Sequence, residues 1–192
     1  AGADVDSVAV WQGAAASLIA TAKTADRLLV FDAATGALRA PIGVPGSGAG
    51  QLDRPNGILV LDDYAFVVER DNHRVQVFRL PGGESVATLG AGLLRRPYGI
   101  TGYQEGEAYV LFVTDNYEGG RGGFPPDAEL SRRVHRFRID SAGGALVQSQ
   151  HAVFGDVTPQ GRLRKVETIM ADPAHRRLLI AEEHERVVRI YD

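Results

Sequence analysis

The chain has 192 residues, of which 44% are hydrophobic and 23% are charged, with a formal net charge of -3 and a pI near 6.0. This apolar content is enough to bury a core, and the chain lacks the basic field that nucleic-acid binding requires. No stretch approaches the roughly 20 apolar residues of a membrane-spanning helix. We therefore expect neither nucleic acid nor a membrane as a partner. The absence of cysteine excludes disulfides and thiolate metal sites, which leaves oxygen ligands and five histidines for any cation.

In chain order, the predicted elements repeat one pattern four times. Each unit has a short opening strand, an apolar strand, a polar elbow and an alternating strand, and the first three units add an outer strand. The opening strands are VDSVAVW, RPNGILVLDD, RPYGITGYQEG and KVETIMADPAH. The central hairpins are SLIATAKTADRLLVFDAATG, AFVVERDNHRVQVFRLPGG, AYVLFVTDNYEGG with RRVHRFRIDSAGG, and RLLIAEEHERVVRIYD. The predicted outer strands are ALRAPIG, ESVATLG and ALVQSQHAVFG.

The spacing of these units predicts the fold class. Phe31, Phe78, Phe137 and Tyr191 take equivalent places, separated by 47, 59 and 54 residues, which is close to the repeat length of four-stranded propeller blades. The sequence therefore predicts an all-β chain, a β-propeller of four-stranded antiparallel blades that forms part of a ring. We expect one propeller segment over residues 1–192, with blades at 5–50, 51–92, 93–156 and 157–192.

Two features interrupt this pattern. A glycine- and proline-rich insertion spans Asp115 to Arg133 and predicts a long loop, either a lid or a wrap for a cation. The fourth unit has no predicted outer strand, which favours a partial ring with an open blade edge capable of self-association. A smaller ring closed by the N-terminal segment, or assembly with another chain, remains an alternative. The first residues, AGADVDSVAVW, fit a mature exported protein, so we expect a periplasmic or secreted location.

Two family resemblances follow from these segments. GSGAGQLDRPNGILVLDDYAFVVERDNHRVQVFRL resembles the NHL propeller repeat, and this match covers one blade well. The chain as a whole resembles the calcium-dependent β-propeller phytases, which have six blades. VDSVAVW, RPNGILV, RPYGITGY and KVET with LLIAEEHERVVRIY match family motifs in the family's order, and they correspond to roughly its first four blades. Because part of the ring is then missing, we expect these residues alone to be inactive.

The phytase resemblance implies a set of site residues. Asp6, Glu167, and Glu182 or Glu183 match acidic positions that hold calcium near the channel mouth in that family. Arg70 and Lys23 match residues that contact phosphate, Tyr98 matches a tyrosine at the channel mouth, and Glu167 would also serve catalysis. The sequence departs from the family at Ser7, at Thr168 and in the insertion, where a phosphate-contacting lysine is replaced. The later acidic strands of the family lie beyond Asp192.

Each of these residues also has a structural interpretation. Elbow carboxylates such as Glu183 are common solvated charges, Arg70 could pair with Glu69 or Asp71, and Lys23 could be purely structural. The resemblance implies a phosphomonoester hydrolase that uses calcium-activated water on inositol phosphates such as phytate. One alternative is a non-catalytic NHL-like scaffold that binds protein or carbohydrate. Another is a propeller lyase or lactonase with one central calcium.

Overall fold

The computed structural model describes residues 4–116, 133–155, 163, 166–183 and 186–192. The chain forms two compact units, Ala1–Ala91 and Gly92–Asp192. All regular elements of the described residues are β-strands, and every main sheet is antiparallel. The predicted fold class, an all-β chain of four-stranded antiparallel sheets of the propeller type, is confirmed. The assignment of residues 1–192 to a single propeller segment stays a prediction.

The first sheet of unit 1 contains β1 (Val5–Trp11), β2 (Ser17–Ala22) and β3 (Arg27–Asp32), in that order. Alternating apolar residues on these strands put one face of the sheet into the core, as expected for a strand period of two residues. A side-chain bond from Trp11 Nε1 to Asp63 Oδ1, 2.9 Å long, ties this sheet to the next one along the chain.

The prediction of a continuous outer strand over ALRAPIG is wrong. In its place, two isolated bridges join Leu28 to Ile42 and Phe31 to Leu38. Leu28 and Ile42 exchange two backbone hydrogen bonds of 2.8 and 3.1 Å. Pro41 has no N–H to donate, so the ladder cannot continue through it.

The second sheet of unit 1 is a complete four-stranded meander. Its strands are β6 (Pro55–Leu61), β7 (Tyr64–Glu69), β8 (Arg74–Arg79) and β9 (Glu84–Leu89). A short parallel pair, β4 (Val44–Pro45) with β5 (Gln51–Leu52), precedes it. The core of unit 1 contains Trp11, Ile19, Leu28, Val30, Ile42, Leu52, Ile58, Ala65, Val67, Phe78 and Leu80.

Unit 2 contains the third and fourth sheets. The third sheet has strands β10 (Pro97–Glu105), β11 (Ala108–Asp115), β12 (Arg133–Ala142) and β13 (Ala145–Phe154). The fourth has β14 (Val166–Asp172), β15 (Arg177–Glu182) and β16 (Val187–Tyr191). The core cluster of this unit contains Val134, Leu163, Val166, Ile169, Leu178 and Ile180. Most of the predicted insertion, residues 117–132, lies outside the described residues.

The strand registers show that the four sheets are true repeats. The first and last residues of each opening hairpin pair in the same way: Val5 with Ala22, Pro55 with Glu69, Pro97 with Asp115, and Val166 with Glu182. The four aromatic residues that set the predicted period all occupy the fifth place of the third strand, and they are Phe31, Phe78, Phe137 and Tyr191.

The described part of the chain contains no helix that could span a membrane.

Candidate functional site

The predicted site residues fall on two backbone positions that recur in every sheet. The bulge position is the second residue of each first strand, and the elbow position is the residue that directly follows each second strand. Both lie at the same end of their sheet, where the first strand begins. The bulge position holds Asp6, Asn56, Tyr98 and Glu167, and the elbow position holds Lys23, Arg70, Asn116 and Glu183.

A β-bulge follows the start of each first strand and explains why the bulge position is special. In all four sheets the register of the first two strands shifts directly after the opening pair. A bulge re-aims the side chain beside it and leaves backbone groups without a ladder partner. Thr21 Oγ1 accepts a hydrogen bond from the amide of Ser7 at 3.0 Å. Thr114 Oγ1 accepts one from the equivalent amide of Gly99 at 2.8 Å.

Among the described residues, the elbow position opens a tight four-residue turn in two of the sheets. These turns run over residues 23–26 and 70–73. Each closes with a non-glycine residue in the left-handed region, Asp26 at φ 50° and His73 at φ 56°, and Arg186, directly before β16, lies in the same region at φ 57°. This conformation costs a residue with a Cβ of order 1 kcal/mol, so its recurrence indicates that the turn geometry is imposed by the sheet.

In unit 1, Asp6 joins both positions into one polar cluster. Its carboxylate accepts from Lys23 Nζ at 3.1 Å and from Asn56 Nδ2 at 2.9 Å. Lys23 also lies 3.3 Å from Asp4 Oδ2. The hydrogen bond to Asp6 is the main reason that the pKa of Lys23 is raised, with burial acting in the opposite direction. Lys23 is therefore a fixed cation at this end of the sheet.

Two atoms near this cluster are buried without a hydrogen-bond partner among the described residues. They are Nε of Arg70 and Oδ1 of Asn56. The closest charged partner of Arg70 is Asp71, at 3.6 Å, so the predicted ion pair with Asp71 is present but long. A buried polar atom left unpaired costs about 1–3 kcal/mol, which a hydrogen bond with a water, an ion or a ligand would offset.

Glu182 occupies a different position from the other predicted residues. It ends β15, its side chain is fully buried, and it accepts from Arg189 Nε at 2.7 Å. The register makes it equivalent to Glu69 and Asp115, which we call the latch position. Asp115 accepts the backbone amides of the two residues before β10, at 2.6 and 2.9 Å. Latch carboxylates thus hold the sheet interior together, whereas Glu183, one residue later, is exposed.

In unit 2, the bulge positions of two neighbouring sheets approach closely. A Cβ atom placed on Gly99 would lie 2.3 Å from the backbone oxygen of Glu167, so only glycine fits there. Asn116 Oδ1 accepts the amide of Val166 at 2.8 Å, which fixes the residue before Glu167. Tyr98 and Glu167 are both half-buried. These contacts with Gly99 and Asn116 therefore fix the position of the Glu167 backbone.

The described residues contain no group of three or more acidic or histidine side chains arranged around a possible metal position. The chemistry of the available donors still suits calcium, because carboxylate and amide oxygens are its preferred ligands. In unit 2, Glu167 is half-buried and Glu183 is exposed. Calcium needs six to eight oxygens, so phosphate and water would have to supply part of the shell.

The NHL-like residues of the second sheet have a structural task. The guanidinium of Arg74 contacts Glu69 and donates to the carbonyls of Ser47, Gly48 and Gln51 at 2.8 to 3.0 Å. Gln76 also donates to the Gln51 carbonyl, at 2.8 Å. These bonds hold the glycine-rich segment before β6, so the local NHL resemblance reflects loop packing.

Sequence reasoning left Asn56 and Asn116 out of the site. In the sequence, Asn56 lies at the start of a predicted strand, and Asn116 lies at the start of the predicted insertion. Counting from the ends of the predicted strands would have found both, because each takes the same place as a predicted site residue.

No protein-family model and no curated protein sequence matches the chain. Among solved structures, a candidate 6-phosphogluconolactonase from Bacteroides uniformis is similar with a TM-score of 0.67 and 15% identity, over 98% of this chain and 50% of that one. A second from Bacteroides fragilis has a TM-score of 0.63 and 16% identity, over 98% and 50%. An auxiliary nutrient binding protein from Bacteroides thetaiotaomicron has a TM-score of 0.61 and 13% identity, over 92% and 45%. These likenesses show the fold alone. The chain spans about half the length of each of these proteins.

Proposed function

We propose that this chain belongs to a phytase-like phosphomonoester hydrolase that acts on inositol phosphates with calcium. The observation that carries the proposal is the repeat placement of Lys23 and Arg70 at the elbow position of consecutive sheets. Six of the seven residues implied by the phytase resemblance lie on the bulge or elbow position. Because the chain spans about half the length of the solved structures it resembles, the activity is proposed for the protein at its full natural length.

The basic residues of unit 1 suit the binding of a phosphate group. Lys23 is held as a cation by Asp6, and the Nε of Arg70 lacks a hydrogen-bond partner among the described residues. A phosphate oxygen accepting from Arg70 would satisfy that nitrogen with a charge-assisted bond. The hydrogen bond to Asp6 holds the Lys23 ammonium group in place, so that Lys23 orients the phosphate from a fixed position. Arg70 then makes the stronger hydrogen bond to the phosphate.

The acidic residues of unit 2 suit the binding of a cation. In this proposal Glu167 and Glu183 are metal ligands. Glu182 is assigned to the latch, because its carboxylate is buried against Arg189. When bound, calcium would neutralise phosphate charge and lower the pKa of a coordinated water. Tyr98, at the bulge position of the third sheet, would orient the substrate through its hydroxyl group.

Two other functions remain open to test. Two of the similar solved structures carry the name of a phosphogluconolactonase, and that name fits the coarser proposal of a hydrolase acting on a phosphorylated sugar or polyol. A binding scaffold needs no cation or phosphate contacts. The scaffold is less favoured, because the NHL-like residues hydrogen-bond the loop before β6.

We also propose that the protein is exported, in line with the sequence prediction.

The deciding experiment measures phosphate release from phytate with calcium and with a chelator, using the natural full-length protein. We expect Arg70→Gln to lower kcat/KM about 100-fold, as removal of an oriented charge contact does. Glu107→Gln, at an exposed turn, is the matched control and should behave as wild type. Absence of phosphate release, together with a melting temperature that calcium leaves unchanged, would reject the hydrolase in favour of a scaffold.

A second comparison separates the two adjacent glutamates. Glu183→Gln should weaken calcium binding in isothermal titration and leave stability unchanged. Glu182→Gln should lower stability and leave calcium binding unchanged wherever the protein stays folded. The opposite pattern would move the metal role to Glu182.

A further inference from the structure

Unit 2 contains a cleft between its third and fourth sheets that takes no part in the site described above. Its volume is about 850 Å³, within the range of small-molecule sites. It reaches residues near the far ends of β10 and β14, including Tyr103 and Asp172. The bulge and elbow positions lie at the opposite end of these sheets.

Four aromatic rings line this cleft as a continuous series. The ring centroids of Tyr103 and Phe112 are 6.4 Å apart, those of Phe112 and Phe154 are 6.3 Å apart, and those of Phe154 and Tyr191 are 5.7 Å apart. All four side chains are half-buried, so their faces remain partly accessible. Burial in the cleft also raises the pKa of Tyr191. Such a surface stacks well against a planar or apolar body.

The cleft also presents two arginines that form no ion pair with the described residues. Arg136 lies on β12 directly opposite Phe112 and is half-buried. Arg176, in the turn before β15, is held in the left-handed region at φ 56°. A half-buried guanidinium without a counter-charge favours an incoming anion, and a planar guanidinium beside aromatic rings also stacks.

Two of the carboxylates at the rim are paired with arginines. Asp192 accepts from Arg177 Nε at 3.0 Å, and Glu105 is paired with Arg138. Asp172 accepts a hydrogen bond from His175 Nδ1 at 2.7 Å. Arg136 and Arg176 are therefore the cleft arginines that pair with no carboxylate among the described residues.

We propose that this cleft binds a small organic anion with a planar, apolar body. The four rings receive the body, and Arg136 and Arg176 receive the carboxylate, sulfonate or phosphate. The proposal is independent of the hydrolase, because it uses none of the bulge or elbow residues.

Two fluorescent probes with related ring bodies test this assignment on the chain as it stands. One is the anion 8-anilinonaphthalene-1-sulfonate, and the other is its neutral relative N-phenyl-1-naphthylamine. We expect the anion to bind with one-to-one stoichiometry and more tightly than the neutral probe. Arg136→Met, which keeps an apolar stem, should weaken the anion at least about tenfold and leave the neutral probe unchanged. Tyr191→Leu should weaken both probes.

Arg27→Met removes the same charge from unit 1 and should change neither affinity. Near-ultraviolet circular dichroism and the urea midpoint should show that each variant remains folded. Equal affinity for the two probes, or an Arg136→Met variant that binds the anion as wild type does, would overturn the proposal.

Discussion

At the scale of the residue, the buried latch carboxylates hold the sheets together. Glu69 is fully buried and accepts from Arg74, Asn72, Gln76 and the amide of Asp53. These four donors come from β8, from the turn between β7 and β8, and from the loop before β6. Removing the acceptor leaves a buried cation and several donors without partners.

We expect Glu69→Ala to lower the free energy of unfolding by about 3–5 kcal/mol, the usual cost of breaking a buried ion pair from one side. Urea unfolding followed by tryptophan fluorescence measures this change, since Trp11 lies in the core of the same unit. Asp71→Asn alters a nearby, more exposed carboxylate and should cost little. Equal midpoints for Glu69→Ala and wild type would show that the network contributes nothing to stability.

The sequence predicted the backbone positions of the candidate residues better than it predicted their contacts. Strand ends placed Asp6, Lys23 and Arg70 at the ends of their sheets, because these positions depend on local strand and turn patterns, and their roles in a site stay predictions. The difference between Glu182 and Glu183 depends on which side of a strand end each faces and on the distant partner Arg189. Pairing across strands is a tertiary fact that a single sequence does not contain.

At the scale of the element, a hydrogen-bonded turn follows β3 in the place where a regular outer strand was predicted. Asp32 ends β3 and accepts from the amides of Ala34 and Thr35, from the Thr35 hydroxyl and from Arg39. These hydrogen bonds lower the pKa of Asp32 to about 2, and the bond from the Thr35 amide contributes most. The sequence showed a strand-like run here, and Pro41 together with this turn limits it to two bridges.

The lowered pKa of Asp32 gives the turn a defined sensitivity to acid. Its stabilising effect is fully present above the unfolded value near 3.9 and is lost as the pH falls through the folded value of about 2. We expect Asp32→Asn to be less stable than wild type at pH 5, and we expect the difference in stability to shrink as the pH falls toward 2. Urea unfolding across this range tests it. An Asp32→Asn offset that stays constant with pH would contradict the assignment.

At the scale of the whole molecule, repetition made the fold class predictable. The period of the aromatic residues and the alternation within strands are properties of the sequence itself, and the registers confirm both. The function was harder to predict than the fold, because solved structures that are 13% to 16% identical establish the architecture alone. The same sheets can present different side chains from the same positions.

The edge of β16 is the part of the molecule from which we expect one copy of the chain to associate with another. Among the described residues β16 bonds only to β15, and Val188 and Ile190 on it are 63% and 60% exposed. Exposed apolar strand edges recruit further strands. We expect the chain to self-associate as its concentration rises in sedimentation velocity, and Val188→Lys to shift it toward monomer. Leu38→Lys, at a similarly exposed apolar residue outside the strands, should leave association unchanged, and a monomeric wild type would contradict this prediction.

The shared bulge and elbow positions bear on how such a protein can change over evolutionary time. Each sheet delivers its side chains from the same two backbone sites, and those sites are set by bulge and turn geometry that tolerates Asp, Asn, Tyr, Glu, Lys or Arg. A single substitution can therefore alter the charge presented at the end of a sheet without rebuilding the sheet. Proteins that share this architecture can therefore differ in the charges they present while they keep the same sheets.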